Sequence, residues 1–338
     1  MMHPILTVDR VHAVYRLPNG AEVHAVDGVS LSIAEGEILG IVGESGCGKS
    51  TLASVISLTA RPPLYVSEGR LIFNGHSVPL TALDRVPNDW RGRVIALLPQ
   101  GAMNSLNPTL RVRDFVVDVL RAHDHSIDRR IAIERARERL EQLSLPSRVL
   151  DSYPHQLSGG MKQRVVAVLS TILNPRVLIA DEPTSALDVS SQRALVNLLL
   201  ELLERQIIGS IMFISHDLPL LSNVADRIAV MYAGELVELG TTPQIVRAPQ
   251  HPYTRALLQA TLVPERTIRG RRIEGIPGQP PDLRQPPPGC RFHLRCPYAL
   301  EQCRRERPPL ETIEGRQVAC WWVARLHRTV PSMEGLAP

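Results

Sequence analysis

Eight consecutive residues, Gly43-Glu44-Ser45-Gly46-Cys47-Gly48-Lys49-Ser50, match the pattern G-x-x-x-x-G-K-[ST]. Such glycines let main-chain N–H groups close on phosphate oxygens, here those of residues 45–50 with Thr51 adjoining. Lys49 then reaches the β- and γ-phosphates and the Ser50 hydroxyl ligates Mg²⁺. A second glycine pair stands in Leu157-Ser158-Gly159-Gly160-Met161-Lys162-Gln163. It offers another set of close-approach N–H groups ahead of a helix, suited to a second anionic contact. Asp181 and Glu182 end the apolar run Val177–Ala180. Asp181 is placed like the second metal-side carboxylate of a phosphate-loop nucleoside triphosphatase. The chemistry on offer is therefore that of a nucleoside triphosphate, a divalent cation and a water.

The phosphate loop together with Leu-Ser-Gly-Gly resembles the ATP-binding cassette (ABC) family, the ATPase subunits of ABC transporters. In that family the two elements come from different subunits and close on one ATP between them, so the resemblance implies a dimer. It makes Glu182 the base that polarises the attacking water. Pro183-Thr184-Ser185-Ala186-Leu187-Asp188 resembles the family's D-loop, with Asp188 at the dimer contact. His216, in Ile-Ser-His-Asp about 35 residues after Asp181, matches the switch histidine that contacts the γ-phosphate. Gln100, in Leu97-Leu98-Pro99-Gln100, looks like the glutamine that senses Mg²⁺ and the attacking water, on a loop that faces the membrane partner. Tyr15 resembles the aromatic that stacks on adenine, and a strand tyrosine packed on the core is the competing reading.

The resemblance covers roughly the first 260 residues and is greatest to oligopeptide and dipeptide importer ATPases. Asn104-Ser105-Leu106-Asn107-Pro108, Tyr153-Pro154-His155-Gln156 and His251-Pro252-Tyr253-Thr254-Arg255-Ala256-Leu257 carry that likeness. Gly101-Ala102 departs from the acidic or proline residues frequent there. The resemblance implies a second, homologous ATPase subunit, usually a distinct one, and two membrane-spanning permease subunits. It also implies an extracytoplasmic solute-binding protein acting through the complex, and residence at the cytoplasmic face of the bacterial membrane. Dipeptides, longer peptides, nickel chelates and some sugars all remain open as cargo.

Four of the five cysteines, Cys290, Cys296, Cys303 and Cys320, follow the spacing C-x5-C-x6-C-x16-C. Reduced thiols clustered in a small module often ligate metal. The paired C-x2–4-C knuckles usual for structural zinc are absent. Four thiolates at wider spacing suit a [4Fe–4S] cluster, which the peptide-importer ATPases carry in their C-terminal extension. Zinc and plain buried thiols are the alternatives. Gly278-Gln279-Pro280-Pro281-Asp282-Leu283 and Cys290-Arg291-Phe292 also resemble that extension.

Composition sets limits on all of this. No apolar run approaches the roughly 20 residues that cross a bilayer, and His3, Pro4, Asp9 and Arg10 interrupt any leader-like start. A net charge of +4 gives no case for nucleic acid. Only two of the 38 basic residues are lysines, Lys49 and Lys162, so a lysine retained at the phosphate-loop position points to a chemical need. A soluble ABC protein of repair or translation is the rival function. Repair members need a long coiled coil between the two motifs, whereas about 110 residues separate them here. Translation factors carry two cassettes in one chain, and this chain has one. A degenerate regulatory subunit is a third reading, opposed by intact Lys49, Asp181, Glu182 and His216.

The elements that position these residues follow from periodicity. Alternation predicts strands over 5–15 and 23–33 around an Asn19-Gly20 turn. Continuous apolar runs at 38–42, 177–180 and 211–214 predict buried strands, and Ile228–Tyr232 with Glu235–Glu238 a hairpin. Residues 129–145 predict an exposed amphipathic helix, and Ser190 and Ser191 are expected to cap another running to about Glu204. The expected class is α/β: a phosphate-loop ABC ATPase with a mostly parallel core sheet, an antiparallel β subdomain, a helical subdomain and a small C-terminal cysteine-rich extension. Six prolines between 277 and 288 forbid regular structure there, and the domains are drawn as 1–264 and 265–338.

Overall fold

The computed structural model describes residues 4–101, 106–185, 187–260 and 275–329. Strands β1 (Pro4–Arg16) and β2 (Glu22–Ala34) form an antiparallel pair around the Asn19-Gly20 turn. The five-residue β3 (Ile38–Val42) delivers the phosphate loop into α1 (Lys49–Ile56). Strands β4 (Leu64–Phe73) and β5 (His76–Pro79) complete a four-stranded antiparallel sheet ordered β2-β1-β4-β5. Sequence alternation did not isolate these two strands, because their polar and apolar residues are poorly ordered.

After β6 (Ile95–Leu98) the chain builds helices α2 (Val112–His123), α3 (Arg129–Gln142) and α4 (Gly159–Thr171). Helix α3 is shorter than expected and buries Ala132, Ala136, Arg139 and Leu140 against its neighbours. Then come β7 (Val177–Asp181), α5 (Val189–Glu204), β8 (Ser210–Ile214), α6 (Leu218–Val224), and the hairpin of β9 (Arg227–Tyr232) with β10 (Glu235–Thr241). Helices α7 (Thr242–Arg247) and α8 (Pro252–Ala260) follow. The proline-rich stretch from Gly275 to Gly289 contains no helix or strand. Beyond it lie α9 (Glu301–Arg305), β11 (Glu311–Ile313), β12 (Arg316–Val318) and α10 (Trp321–Thr329).

The large sheet is ordered β11-β12-β10-β9-β3-β8-β7-β6, parallel from β9 through β6. Strands β3, β7 and β8 are buried along their whole length, which is why their sequences are unbroken apolar runs. Alternate residues serve opposite layers. Ile38, Val42, Leu178, Ala180, Ile211 and Phe213 pack into the helical side, while Leu39, Ile41, Val177, Ile179, Met212 and Ile214 face the antiparallel sheet and α1. Burying each of the larger side chains is worth about 1.5–3 kcal/mol. The two packed faces hold the C-terminal edge of β3, β7 and β8 in place, and that edge carries the loops of interest.

The boundary expected at 264/265 lies outside the described residues. On either side of it the chain shares one sheet: β12 pairs antiparallel with β10, Glu238 opposite Val318 and Leu239 opposite Gln317. The C-terminal segment thus extends the core sheet.

Candidate nucleotide-binding site

The phosphate loop leaves β3 in a conformation that only glycine tolerates. Gly48 has φ +103°, and a Cβ there would lie 2.1 Å from the Ala25 carbonyl oxygen. At Gly43 a Cβ would meet the Met231 carbonyl at 2.2 Å. The loop is pressed between β2 and β9, where a side chain has no room. Lys49 is buried, and its Nζ donates to the carbonyls of Gly43 (2.7 Å) and Glu44 (3.1 Å). Cys47 is buried with its thiol pushed up by desolvation, so it fills space as a neutral group. Tyr15 on β1 lies against the same helix, its hydroxyl 3.3 Å from Thr51 Oγ1. Half-buried, it is partly packed on the β1 layer and partly open.

The two carboxylates arrive from β7. Ser50 Oγ donates to Asp181 Oδ1 at 3.0 Å, bringing the hydroxyl and carboxylate expected to hold Mg²⁺ into contact. Burial pushes the Asp181 carboxyl up, and the neighbouring Glu182 pushes it further. A cation would relieve both costs, so this donor pair fits Mg²⁺. Glu182 takes a left-handed backbone conformation, φ +43°, just past the strand. Its Oε2 accepts from Gln100 Nε2 at 3.2 Å and lies 3.5 Å from His216 Nδ1. Gln100, Glu182 and His216 come from three separate strand ends and converge on one carboxylate.

The Leu-Ser-Gly-Gly segment lies elsewhere. Ser158 caps α4, accepting from the Met161 N–H at 3.3 Å. Gly159 and Gly160 are exposed, with open space where a Cβ would point. An open pocket of about 300 Å³ is lined here by Ser158, Gly160, Arg164, Ser190 and Ser191, and by no residue of 43–51. The cap of α5 differs from the expected one, and it is Asp188. It, and not Ser190 or Ser191, caps α5, accepting from the Ser191 N–H at 2.9 Å and from both serine hydroxyls. A carboxylate three residues ahead meets the free N–H groups better than a serine already inside the first turn. These bonds hold the Asp188 carboxyl well below the usual carboxylate range.

The cysteines lie within range of each other's charge. Cys303 and Cys320 both bear on Cys290, Cys303 on Cys296, and Cys296 with Cys303 on Cys320. The Leu300 N–H donates to Cys303 Sγ at 3.4 Å. Burial pushes the Cys290 thiol up to about 12 and Cys320 to about 11. Among the described residues, however, no three His, Cys, Asp or Glu side chains converge closely enough to hold a metal ion. The expected cluster therefore has the right donors here but no closed ligand shell.

In the sequence Glu44 stands at one of the x positions of the phosphate-loop pattern, and Tyr253 within a stretch that resembles the peptide-importer ATPases. The structure joins them: the Glu44 N–H donates to the Tyr253 hydroxyl at 2.8 Å. The only sequence signal was the tyrosine in His251-Pro252-Tyr253, and its target could not be read from spacing.

This fold and this edge of strand-end loops define a nucleotide-binding cassette ATPase. A dimeric ATP-binding cassette solved in a post-hydrolysis state with ADP and Pi is 26% identical, covering 70% of this chain and 98% of that one, with a TM-score of 0.58. A family model described as ABC transporter matches residues 26–185, and one described as oligopeptide/dipeptide transporter, C-terminal region, matches 237–303. The dipeptide transport ATP-binding protein DppD of Caldanaerobacter subterraneus subsp. tengcongensis is 42% identical over 94% of this chain and 97% of its own length. The oligopeptide transport ATP-binding protein OppD of Bacillus subtilis is 41% identical over 93% and 87%. The chain belongs to the ABC transporter ATP-binding family, in its oligopeptide/dipeptide branch. It is an ATP hydrolase of the ABC type, and among the described residues no helix is long and apolar enough to cross a membrane.

Proposed function

We propose that this chain is the ATPase subunit of an importer for peptides or a related small solute. It works at the cytoplasmic face of a bacterial membrane, beside a homologous partner cassette and two membrane-spanning permeases, with an extracytoplasmic binding protein delivering cargo. The observation that carries this reading is full-length similarity to dipeptide and oligopeptide transport ATP-binding proteins, C-terminal region included. The nucleic-acid alternative has no comparable support.

In the proposed cycle, the N–H groups of residues 45–50 and the Lys49 ammonium bind the phosphates. Ser50 and Asp181, with Gln100, would hold Mg²⁺, which supplies charge neutralisation on the β- and γ-phosphates when bound. Glu182 accepts the proton of the attacking water, oriented by Gln100 and His216. Tyr15 stacks on adenine. Ser158, Gly159, Gly160 and Asp188 serve the partner's nucleotide, which is supported by a pocket that Ser158 and Gly160 line without any residue of this chain's own phosphate loop. Purifying the endogenous complex tests the assembly. Two permeases and a second cassette should co-elute, and peptide with its binding protein should raise ATP turnover. Co-elution with ribosomes or DNA and no permease would overturn it.

Cys290, Cys296, Cys303 and Cys320 would hold a [4Fe–4S] cluster in the same proposal, with zinc as the lesser alternative. When bound, a cluster cross-links these four positions and braces the module toward the partner ATPase. Four free thiols close enough to influence one another, Cys303 and Cys320 buried and Cys290 and Cys296 half-buried, are the support. Anaerobically prepared protein should be brown and carry about four irons per chain. Cys296→Ser should remove the colour and increase proteolysis after about residue 285, with ATP binding largely retained. Stoichiometric zinc without iron would sink the iron–sulfur assignment.

A further inference from the structure

Arg295, next to Cys296 in the C-terminal module, is buried, its side chain 4% exposed. Its guanidinium is directed at the phosphate loop. Nη1 meets Glu44 Oε2 at 2.7 Å and Nη2 meets Glu44 Oε1 at 3.0 Å, a two-pronged ion pair across 251 positions of sequence. The rest of the fork is satisfied too: Nε donates to the Pro277 carbonyl, Nη2 to Ile276, and Nη1 to the Tyr232 hydroxyl. Glu44 itself is held on all sides. Its N–H donates to Tyr253, its carbonyl accepts from Lys49, and its carboxylate is taken by Arg295.

A glutamate inside a phosphate-binding loop is electrostatically awkward. Uncompensated, its charge opposes the triphosphate, and a carboxylate free to swing would draw the loop's own N–H groups or Lys49. We propose that Arg295 is a positioning residue of the nucleotide site, neutralising Glu44 and locking the phosphate loop in its binding conformation. The C-terminal module is then a working part of ATP binding, entering the site through one guanidinium. Arg291 strengthens the same seam without touching the loop's carboxylate. It is fully buried, paired with Asp27 and Glu235, and donates to the Ala233 carbonyl beside Gly234. The inference rests on reading residues 43–50 as the phosphate site.

The test is ATP affinity of the full chain, measured by a fluorescent ATP analogue with thermal melts on the same samples. Arg295→Ala should weaken binding roughly tenfold, less than for a fully buried pair because the Glu44 carboxylate keeps some solvent. Adding Glu44→Gln to that variant should restore affinity to within about threefold, since the uncompensated charge is gone. Arg295→Lys, which keeps the charge and loses the fork, should fall between wild type and Arg295→Ala. Arg305→Ala, an exposed change in the same module, should bind as wild type. Should Arg295→Ala fail to fold, Arg295→Gln with and without Glu44→Gln carries the comparison. Wild-type affinity in Arg295→Ala, or a double variant as weak as the single, overturns the proposal. Lys49→Ala in the same assay tests the phosphate-site reading on its own: if it loses nucleotide while Arg295→Ala does not, that reading stands and this one falls.

Discussion

Glu182→Gln should bind ATP as tightly as the wild type while its steady-state hydrolysis falls at least about 100-fold, the usual share of a general base. The substitution preserves size and the main-chain bonds that shape this corner, where the Glu182 N–H donates to Ile214 and its carbonyl accepts from Ser185. What it removes is proton-accepting capacity at an oxygen now facing Gln100 and His216. An amide cannot take the water's proton, so chemistry stalls after nucleotide is bound. The assembled complex should then accumulate in an ATP-closed state, visible as unhydrolysed ATP that stays with the complex when free nucleotide is removed. Turnover near the wild-type rate in the variant complex would remove Glu182 from the role. Intact turnover in His216→Ala would not, because His216 is exposed and 3.5 Å from the carboxylate, placed to orient the water and contact phosphate.

A comparably large effect separates the two halves of the proposed shared site. Lys49→Ala should abolish measurable ATP binding by the isolated chain, because the ammonium directed into the phosphate loop is deleted. Ser158→Arg should leave that binding within about twofold, since Ser158 caps α4 in a pocket that no phosphate-loop residue lines. In the assembled complex the same arginine fills the space above Gly159 and Gly160. Hydrolysis should drop there by an order of magnitude or more, as closure on the partner's nucleotide is blocked. Equal loss of nucleotide by both variants as monomers would show that one chain supplies both elements, and the two-subunit site would be wrong.

Much of the site was legible because its residues must be particular types at particular places. Gly43, Gly48 and Lys49 have no substitutes where backbone meets Ala25 and Met231 and where an ammonium must reach phosphate, and Ser50 has only threonine. Asp181 and Glu182 were legible because a buried parallel strand has to end in its charged residues. The same logic placed β3, β7 and β8, whose two buried faces demand unbroken apolar runs. Strands β4 and β5 were missed because each is half-exposed and mixes polar with apolar residues, leaving no period to read. The cap of α5 was assigned to the serines, because which side chain meets a free N–H depends on the geometry of the entering chain.

The sequence by itself determined the local chemistry: a phosphate loop, a carboxylate pair, a capped glycine pair and four thiols, each dictated by short-range steric or electrostatic need. Only the tertiary structure decided what these meet. It brought Gln100 and His216 to Glu182, set Ser50 against Asp181, and kept Ser158 away from the phosphate loop. It also folded the C-terminal segment onto β10 as an added strand and carried Arg295 across the molecule to Glu44. The reason is one of range. Backbone sterics and periodicity act over a few residues and leave their mark in consecutive letters. A partly buried ion pair between positions 44 and 295 is selected by desolvation, which counts only once the sheet has closed around it.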